Sequence, residues 1–93
     1  MRDRIRTALQ ALAPARAVFG EAAARGEPVY LVGGALRDLA LGLDPVDVDF
    51  VSPNPYELAC SLADRAGKRV VSLGKEAAPT YRVPLDAAVL DFT

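Results

Sequence analysis

The chain has 93 residues, of which 52% are hydrophobic and 25% charged, and its net charge is −1 at pH 7. This composition indicates one small globular domain and excludes a chain-wide basic field for nucleic acid, so any such contact needs a local patch or further parts of the protein. The absence of histidine and the single cysteine, Cys60, exclude an internal disulfide and a cysteine-rich zinc site, and no apolar run approaches the roughly 20 residues of a membrane span.

Two helices are predicted at the start of the chain. Apolar residues recur at helical spacing over residues 2–12 and again over residues 14–25. Pro14 suits the first turn of the second helix, and Gly26 is a typical stop signal. We therefore expect a helix pair, or one kinked helix, over residues 1–26.

A strand, a turn and a short helix follow. Val29–Val32 is a continuous apolar run, which predicts a strand buried on both faces. Gly33 and Gly34 end this strand, and the pattern then predicts a helix from Ala35 to Leu41. Two glycines between a strand and a helix let a ligand approach the backbone closely, so that N–H groups can hold phosphate oxygens. The alternative is a tight turn that requires a positive φ.

The second predicted strand, Val46–Val51, alternates between apolar and acidic residues. Its apolar residues, Val46 included, are predicted on one face, and Asp47 and Asp49 on the other. Two adjacent carboxylates repel each other unless a cation lies between them, and Mg²⁺ prefers carboxylates together with triphosphate oxygens. The pair therefore indicates a site for Mg²⁺ or Mn²⁺, although a solvated strand face produces the same alternation.

The rest of the chain is predicted as a helix followed by three strands: Tyr56–Ala66, Lys68–Leu73, Thr80–Val83 and Val89–Phe92. The order of elements indicates an α/β (α+β) fold, in which helices flank a mixed, partly antiparallel sheet within a single domain. Arg82 lies in one of these strands, where a cross-strand ion pair is the expected arrangement. Cys60 lies among apolar residues at helical spacing and is expected to be a small buried side chain.

The Gly-Gly turn and the aspartate pair belong to a longer ordered pattern, LVGGALRDLALG over residues 31–42 and DPVDVDFV over residues 44–51. This pattern resembles the signature of the tRNA nucleotidyltransferase and poly(A) polymerase family, the class II branch of the DNA polymerase beta superfamily. Two positions depart mildly from the signature, because Leu36 replaces the usual valine and Ala40 the usual leucine. The resemblance covers about residues 29–93, the expected catalytic core, and is most specific in its first half.

The resemblance implies a nucleotidyltransferase head that moves a nucleotide from ATP or CTP to the 3′ end of an RNA, by a metal-dependent reaction on a tRNA or a poly(A) acceptor. It implies that Asp47 and Asp49 are the catalytic metal-binding pair. It places a third catalytic acidic residue at Asp91, and it implies that Gly33 and Gly34 hold the triphosphate.

Three further residues are candidates for substrate binding. Arg37 could reach phosphate from the short helix, and Asp38 could brace it; a surface ion pair is the alternative for both. Lys75 follows a glycine in a predicted loop and could contact triphosphate, or it could be an ordinary solvated lysine. Tyr30 and Tyr81 are expected to be core or rim residues rather than base-stacking platforms.

The resemblance also implies neck, body and tail segments, which these 93 residues do not include. We therefore expect a cytoplasmic fragment without membrane contact, in which exposed apolar surface favours a homodimer, and the sequence leaves open whether this chain is active alone. A second hypothesis is a stand-alone head-like module that binds nucleotide or a partner protein without turnover. A third, less favoured one is a small-molecule nucleotidyltransferase. The sequence leaves open which nucleotide is added and which RNA accepts it.

Overall fold

The computed structural model describes residues 13–43, 46–74, 77–86 and 88–93. These residues form three helices and five strands, in the order α1 (Ala13–Ala24), β1 (Tyr30–Val32), α2 (Gly34–Ala40), β2 (Asp47–Val51), α3 (Pro55–Ala66), β3 (Val71–Leu73), β4 (Thr80–Pro84) and β5 (Val89–Phe92). The helix predicted over residues 2–12 lies outside the described residues, as does Lys75. In the part of the chain that is described, no helix has the length and apolar character of a membrane span.

The five strands form one mixed sheet in the order β1-β2-β5-β4-β3. The two central neighbours, β2 and β5, are parallel, and each of the other neighbouring pairs is antiparallel. Strands β4 and β5 form a hairpin closed by the bond from the Leu85 amide to the Ala88 carbonyl, 2.8 Å. The predicted α/β (α+β) class with a mixed, partly antiparallel sheet is therefore confirmed.

One face of the sheet carries the hydrophobic core. The alternation of β2 sends Val48 and Phe50 to this face, where both are buried. The Phe50 ring stacks on Phe92 of β5 at 5.5 Å and meets the Phe19 ring of α1 edge-on at 6.0 Å. Each large side chain buried here contributes about 1.5–3 kcal/mol through removal from water. This packing fixes which face of β2 remains for polar side chains.

Helices α1 and α3 cover the core face and are joined by polar contacts. Helix α1 ends at Ala24, and in the turn that follows Gly26 adopts a φ of 67° and the Glu27 amide donates to the Ala22 carbonyl at 2.9 Å. The Arg25 guanidinium then donates to Glu57 at 2.8 Å and to the Ser61 hydroxyl at 3.3 Å. These bonds hold the helix pair in register over the apolar face.

Three sequence predictions are wrong. Strand β1 is an edge strand rather than a strand buried on both faces, because it pairs with β2 alone and leaves Tyr30 63% exposed. Val46 does not join the core face, since it precedes β2 and is 63% exposed. Cys60 is only partly buried. A continuous apolar run thus marked a short edge strand, and its exposed residues border the polar face of the sheet.

Candidate active site

The face of the sheet opposite the core carries the predicted carboxylates, and we call it the open face. Asp47 and Asp49 project to it because they alternate with the buried residues of β2. In the parallel register Asp49 lies opposite Asp91 of β5, and in the next pair Asp91 lies opposite Arg82 of β4. The three predicted catalytic residues therefore lie on two adjacent central strands, and their positions follow from the pairing of β2 with β5.

The neighbours of Asp49 perturb the ionisation of its carboxylate. Its pKa is raised, first by partial burial and then by the negative charges of Asp91 and Asp47; the positive charge of Arg82 opposes these effects. A carboxylate held beside two others favours either a proton or a cation as neighbour. A cation bound beside Asp49 would therefore stabilise the ionised form of its carboxylate.

The Gly-Gly turn lies directly against this carboxylate. Gly33 has a φ of 80° and a ψ of −156°, a conformation that is essentially restricted to glycine. A Cβ atom at Gly33 would lie 3.0 Å from Oδ2 of Asp49. The absence of a side chain therefore lets the strand-to-helix turn and the Asp49 carboxylate approach each other.

A cleft of about 550 Å³ opens beside the turn and the aspartate pair. Its lining brings together five of the predicted site residues: Gly34, Arg37, Asp38, Asp47 and Asp49. The cleft lies within the usual range of small-molecule sites, about 300–1,000 Å³. Residues that are up to fifteen positions apart in the sequence thus line one space beside the two carboxylates.

Within the cleft, Arg37 is the cation closest to the Gly-Gly turn. A Cβ on Gly34 would lie 3.5 Å from Nη2 of Arg37, and the Arg37 side chain is 78% exposed. Its contact with Asp38 is long, 3.9 Å from Nε to Oδ1, and does not fix the guanidinium in place. Bracing by Asp38 is therefore weak, and the Arg37 guanidinium can turn toward an anion in the cleft.

The structure adds one residue that the sequence did not place in the site. The Arg82 guanidinium donates from Nε to Oδ1 of Asp91 at 2.8 Å and from Nη2 to Oδ2 at 3.1 Å. The predicted cross-strand ion pair is confirmed, but its partner was not foreseen. The hairpin register was the missing signal, since the pairing of Pro84 with Val89 places Arg82 opposite Asp91.

The residues present fit a divalent cation held by two carboxylates. Among the residues that the structure describes, no group of three or more acidic, histidine or cysteine side chains is arranged to hold a metal ion. Asp47 and Asp49 remain as a pair, next to a cleft wide enough to admit phosphate oxygens. One or two carboxylates completed by substrate phosphates are the usual ligands of Mg²⁺ in nucleotide sites.

A mixed sheet that carries an Asp-x-Asp strand beside a Gly-Gly turn defines a nucleotidyltransferase head. The sequence profile described as "Poly A polymerase head domain" matches residues 29–93, and the chain belongs to this family. The structural prediction made from the Gly-Gly and Asp-x-Asp pattern is therefore confirmed at the level of the family and its fold.

Solved structures of tRNA-processing enzymes are similar to this chain. One, solved with CTP, is 36% identical over 82% of this chain and 21% of its own, with a TM-score of 0.71. A tRNA nucleotidyltransferase complexed with a primer tRNA and an incoming ATP analog is also 36% identical, over 82% of this chain and 22% of its own, with a TM-score of 0.68. An apo form of a tRNA-processing enzyme is 37% identical over 84% of this chain and 21% of its own, with a TM-score of 0.70.

The chain thus spans about a fifth of the length of the solved structures it matches. A comparison with curated proteins gives no significant match.

Proposed function

We propose that this protein is the catalytic head of an RNA nucleotidyltransferase, which transfers a nucleotide from ATP or CTP to the 3′ end of a tRNA. The observation that carries the proposal is the contact between the Gly33 turn and the Asp49 carboxylate, at the edge of a cleft lined by Asp47 and Arg37. Similar structures, of which one was solved with CTP and one with a primer tRNA and an ATP analog, support this choice of substrates.

In the proposed site, the triphosphate enters the cleft beside the Gly-Gly turn. Gly33 and Gly34 allow the phosphates to approach the backbone, and the exposed Arg37 guanidinium pairs with phosphate oxygens. Asp47 and Asp49 would hold Mg²⁺ or Mn²⁺, which when bound neutralises charge on the phosphates and on the attacking oxygen. The contact of Lys75 with triphosphate stays a prediction from the sequence.

The acceptor side of the proposed reaction involves Asp91. The RNA 3′ hydroxyl forms a bond to the α-phosphorus, the bond to the bridging oxygen breaks, and pyrophosphate leaves. Asp91 lies beside Asp49 on the open face, and it would accept the hydrogen bond of the attacking hydroxyl while that group loses its proton. Positioning and charge neutralisation carry this chemistry, so a histidine base is not needed.

A second candidate function is a head-like module that binds nucleotide or a partner protein without turnover. It is favoured by the net charge of −1, which provides no extended basic surface for RNA. Transfer of a nucleotide to RNA separates the two candidates.

The test is calorimetric titration of the chain with ATP or CTP in the presence of Mg²⁺ or Mn²⁺. We expect metal-dependent triphosphate binding that is lost when Asp47→Ala and Asp49→Ala are combined. The matched control is Asp64→Ala, which removes an exposed aspartate from α3 on the other side of the sheet and should leave binding unchanged. A folded wild-type chain that binds no triphosphate, or a double variant that still binds, would overturn the proposal.

A further inference from the structure

The cleft beside the aspartate pair also has two large apolar residues in its lining, Leu43 and Val46. We call these two residues the apolar end of the cleft. They are 55% and 63% exposed, so neither belongs to the hydrophobic core. Ligand clefts commonly combine a few polar groups with apolar side chains that contact the apolar part of the ligand. The apolar end is therefore a candidate contact for a part of the substrate other than its phosphates.

The end of helix α2 fixes the position of Leu43. Gly42 adopts a φ of 78°, and the Leu43 amide donates to the Asp38 carbonyl at 2.8 Å. In this kind of helix ending, the residue at the place of Leu43 frequently packs on an apolar side chain in the last turn of the helix. Here the corresponding positions of that turn hold Arg37 and Asp38. The Leu43 side chain thus lacks its usual apolar partner and lies beside two charged residues in the lining of the cleft.

Val46 lies in the cleft although the alternation of its segment would send it to the core face. Strand β2 starts one residue later, at Asp47, and Val46 lines the cleft instead. The Val89 amide donates to the Val46 carbonyl at 2.7 Å and anchors the backbone at this point. Both residues of the apolar end are therefore held by backbone hydrogen bonds while their side chains remain exposed.

Strand β2 sets the order of the groups along the cleft. The Gly33 turn lies against Asp49. Asp47 is two residues, about 7 Å, nearer the start of the strand, and Val46 directly precedes it. A triphosphate that lies beside the Gly-Gly turn and the aspartate pair therefore has room for its nucleoside at the apolar end.

We propose that Leu43 and Val46 bind the nucleoside of the incoming nucleoside triphosphate, so that the cleft distinguishes this substrate from a bare polyphosphate. Their aliphatic side chains cover apolar surface of the ribose or the base, and removal of that surface from water adds to the affinity. Aliphatic groups have no hydrogen-bonding atoms with which to read a base, so the contact serves ATP and CTP alike. The inference rests on the proposed function and gives a binding role to two residues outside the Gly-Gly and Asp-x-Asp motifs.

A comparison of nucleoside triphosphates with tripolyphosphate tests the proposal, because tripolyphosphate has the phosphates but no nucleoside. Calorimetric titration in the presence of Mg²⁺ measures the dissociation constants of ATP, CTP and tripolyphosphate for the wild type and for Leu43→Ser. Leu43 is exposed, so the substitution should leave the fold intact. We expect the variant to bind ATP and CTP about 3- to 10-fold more weakly, and tripolyphosphate within about 2-fold of the wild type.

Leu41→Ser is the matched control. Leu41 lies two positions away, is 67% exposed and lies outside the lining of the cleft. This variant should bind all three ligands like the wild type. Val46→Ser changes the other residue of the apolar end and should show the same selective loss as Leu43→Ser. Should Leu43→Ser fail to fold, Val46→Ser decides in its place.

Three results would overturn the inference. If Leu43→Ser weakens the binding of tripolyphosphate as much as that of ATP, the side chain supports the phosphate site and does not contact the nucleoside. If the folded variants bind ATP and CTP like the wild type, the apolar end makes no contact with either ligand. If Leu41→Ser shows the same selective loss, the effect does not come from the cleft. A wild-type chain that binds neither ATP nor tripolyphosphate contradicts the proposed function instead, so the two failures are distinguishable.

Discussion

Gly33 and Asp49 are in contact across the β1–β2 pair, and a Cβ atom at Gly33 would lie 3.0 Å from Oδ2 of the aspartate. The two residues are sixteen positions apart in the sequence, and the antiparallel register of Val32 with Asp49 brings them together. The turn that we propose to bind phosphate and the proposed metal site are therefore one structural unit, and a change in either alters the other.

Replacing Gly33 with alanine should damage both the fold and the site. The φ of 80° with a ψ of −156° disfavours any side chain, at a cost of about 1–3 kcal/mol in the free energy of unfolding. The added methyl group would also push the Asp49 carboxylate away from its position. Urea denaturation should show the loss of stability, and calorimetry should show triphosphate affinity reduced by roughly 10-fold or more.

Gly20→Ala provides the matched glycine control. Gly20 lies within α1 with no heavy atom within 4 Å of an added Cβ. Alanine there should stabilise the chain by roughly 0.5–1 kcal/mol, because glycine is the poorer residue inside a helix. Triphosphate binding should be unchanged. If Gly33→Ala and Gly20→Ala change triphosphate affinity equally, the Gly33 turn is not part of the triphosphate site.

Asp49→Asn should stabilise the metal-free chain at neutral pH while it abolishes metal-dependent binding. The pKa of Asp49 is raised, so its protonated form is favoured in the folded state. Its contribution to stability is complete below the ordinary aspartate pKa of 3.8 and is lost as the pH rises through the raised value. At pH 7 the neutral asparagine avoids that loss, so we expect the variant to be more stable than the wild type at this pH.

Denaturation by urea in the presence of a chelator, at several pH values between 3 and 8, measures this difference. The gain of Asp49→Asn over the wild type should grow with rising pH and disappear at the acidic end. A difference of the same size at every pH would show that the ionisation of Asp49 is not its origin.

Arg37→Met should weaken triphosphate binding without weakening the binding of the metal alone. The Arg37 side chain is 78% exposed and borders the cleft next to Gly34, where it can pair with phosphate. Loss of one charge-assisted contact, about 1.5–3 kcal/mol, corresponds to roughly 10-fold or more in the dissociation constant for ATP. Mn²⁺ affinity without nucleotide should not fall, because loss of a positive charge near the aspartate pair does not weaken the binding of a cation.

The control for Arg37 is Arg16→Met, which removes an exposed arginine from α1 on the core side of the sheet. This variant should bind ATP like the wild type. If the two arginine variants lose the same affinity, the effect is one of general charge, and Arg37 has no specific contact with phosphate.

Phe50→Ala should unfold the chain or bring it close to unfolding. Phe50 is fully buried and contacts two other aromatic rings, those of Phe19 and Phe92. Its truncation should cost about 3–5 kcal/mol, a large part of the stability of a domain of this size. Circular dichroism during thermal denaturation measures the effect. Tyr30→Ala, at a 63% exposed position, should cost much less.

The sequence predicted the central elements of the fold better than its edges. The alternation of β2 and the glycine after α3 predicted a strand and a helix that the structure contains, Asp47–Val51 and Pro55–Ala66. Local patterns were sufficient there because one face of each element packs against the core. They failed at β1, where a continuous apolar run formed an exposed edge strand, because the order of strands in a sheet is not a local property.

The sequence by itself determined the family and indicated most of the candidate site residues, because the Gly-Gly and Asp-x-Asp motifs that carry the resemblance are each contiguous in the chain. Tertiary structure alone decided that Asp91 lies beside Asp49 and that Arg82 engages Asp91. The parallel pairing of β2 with β5 joins residues forty-two positions apart, and the hairpin register then fixes the position of Arg82. Strands pair so that their apolar faces are buried together, as Phe50 and Phe92 are here. Residue spacing within one segment of the sequence does not indicate which strands will pair.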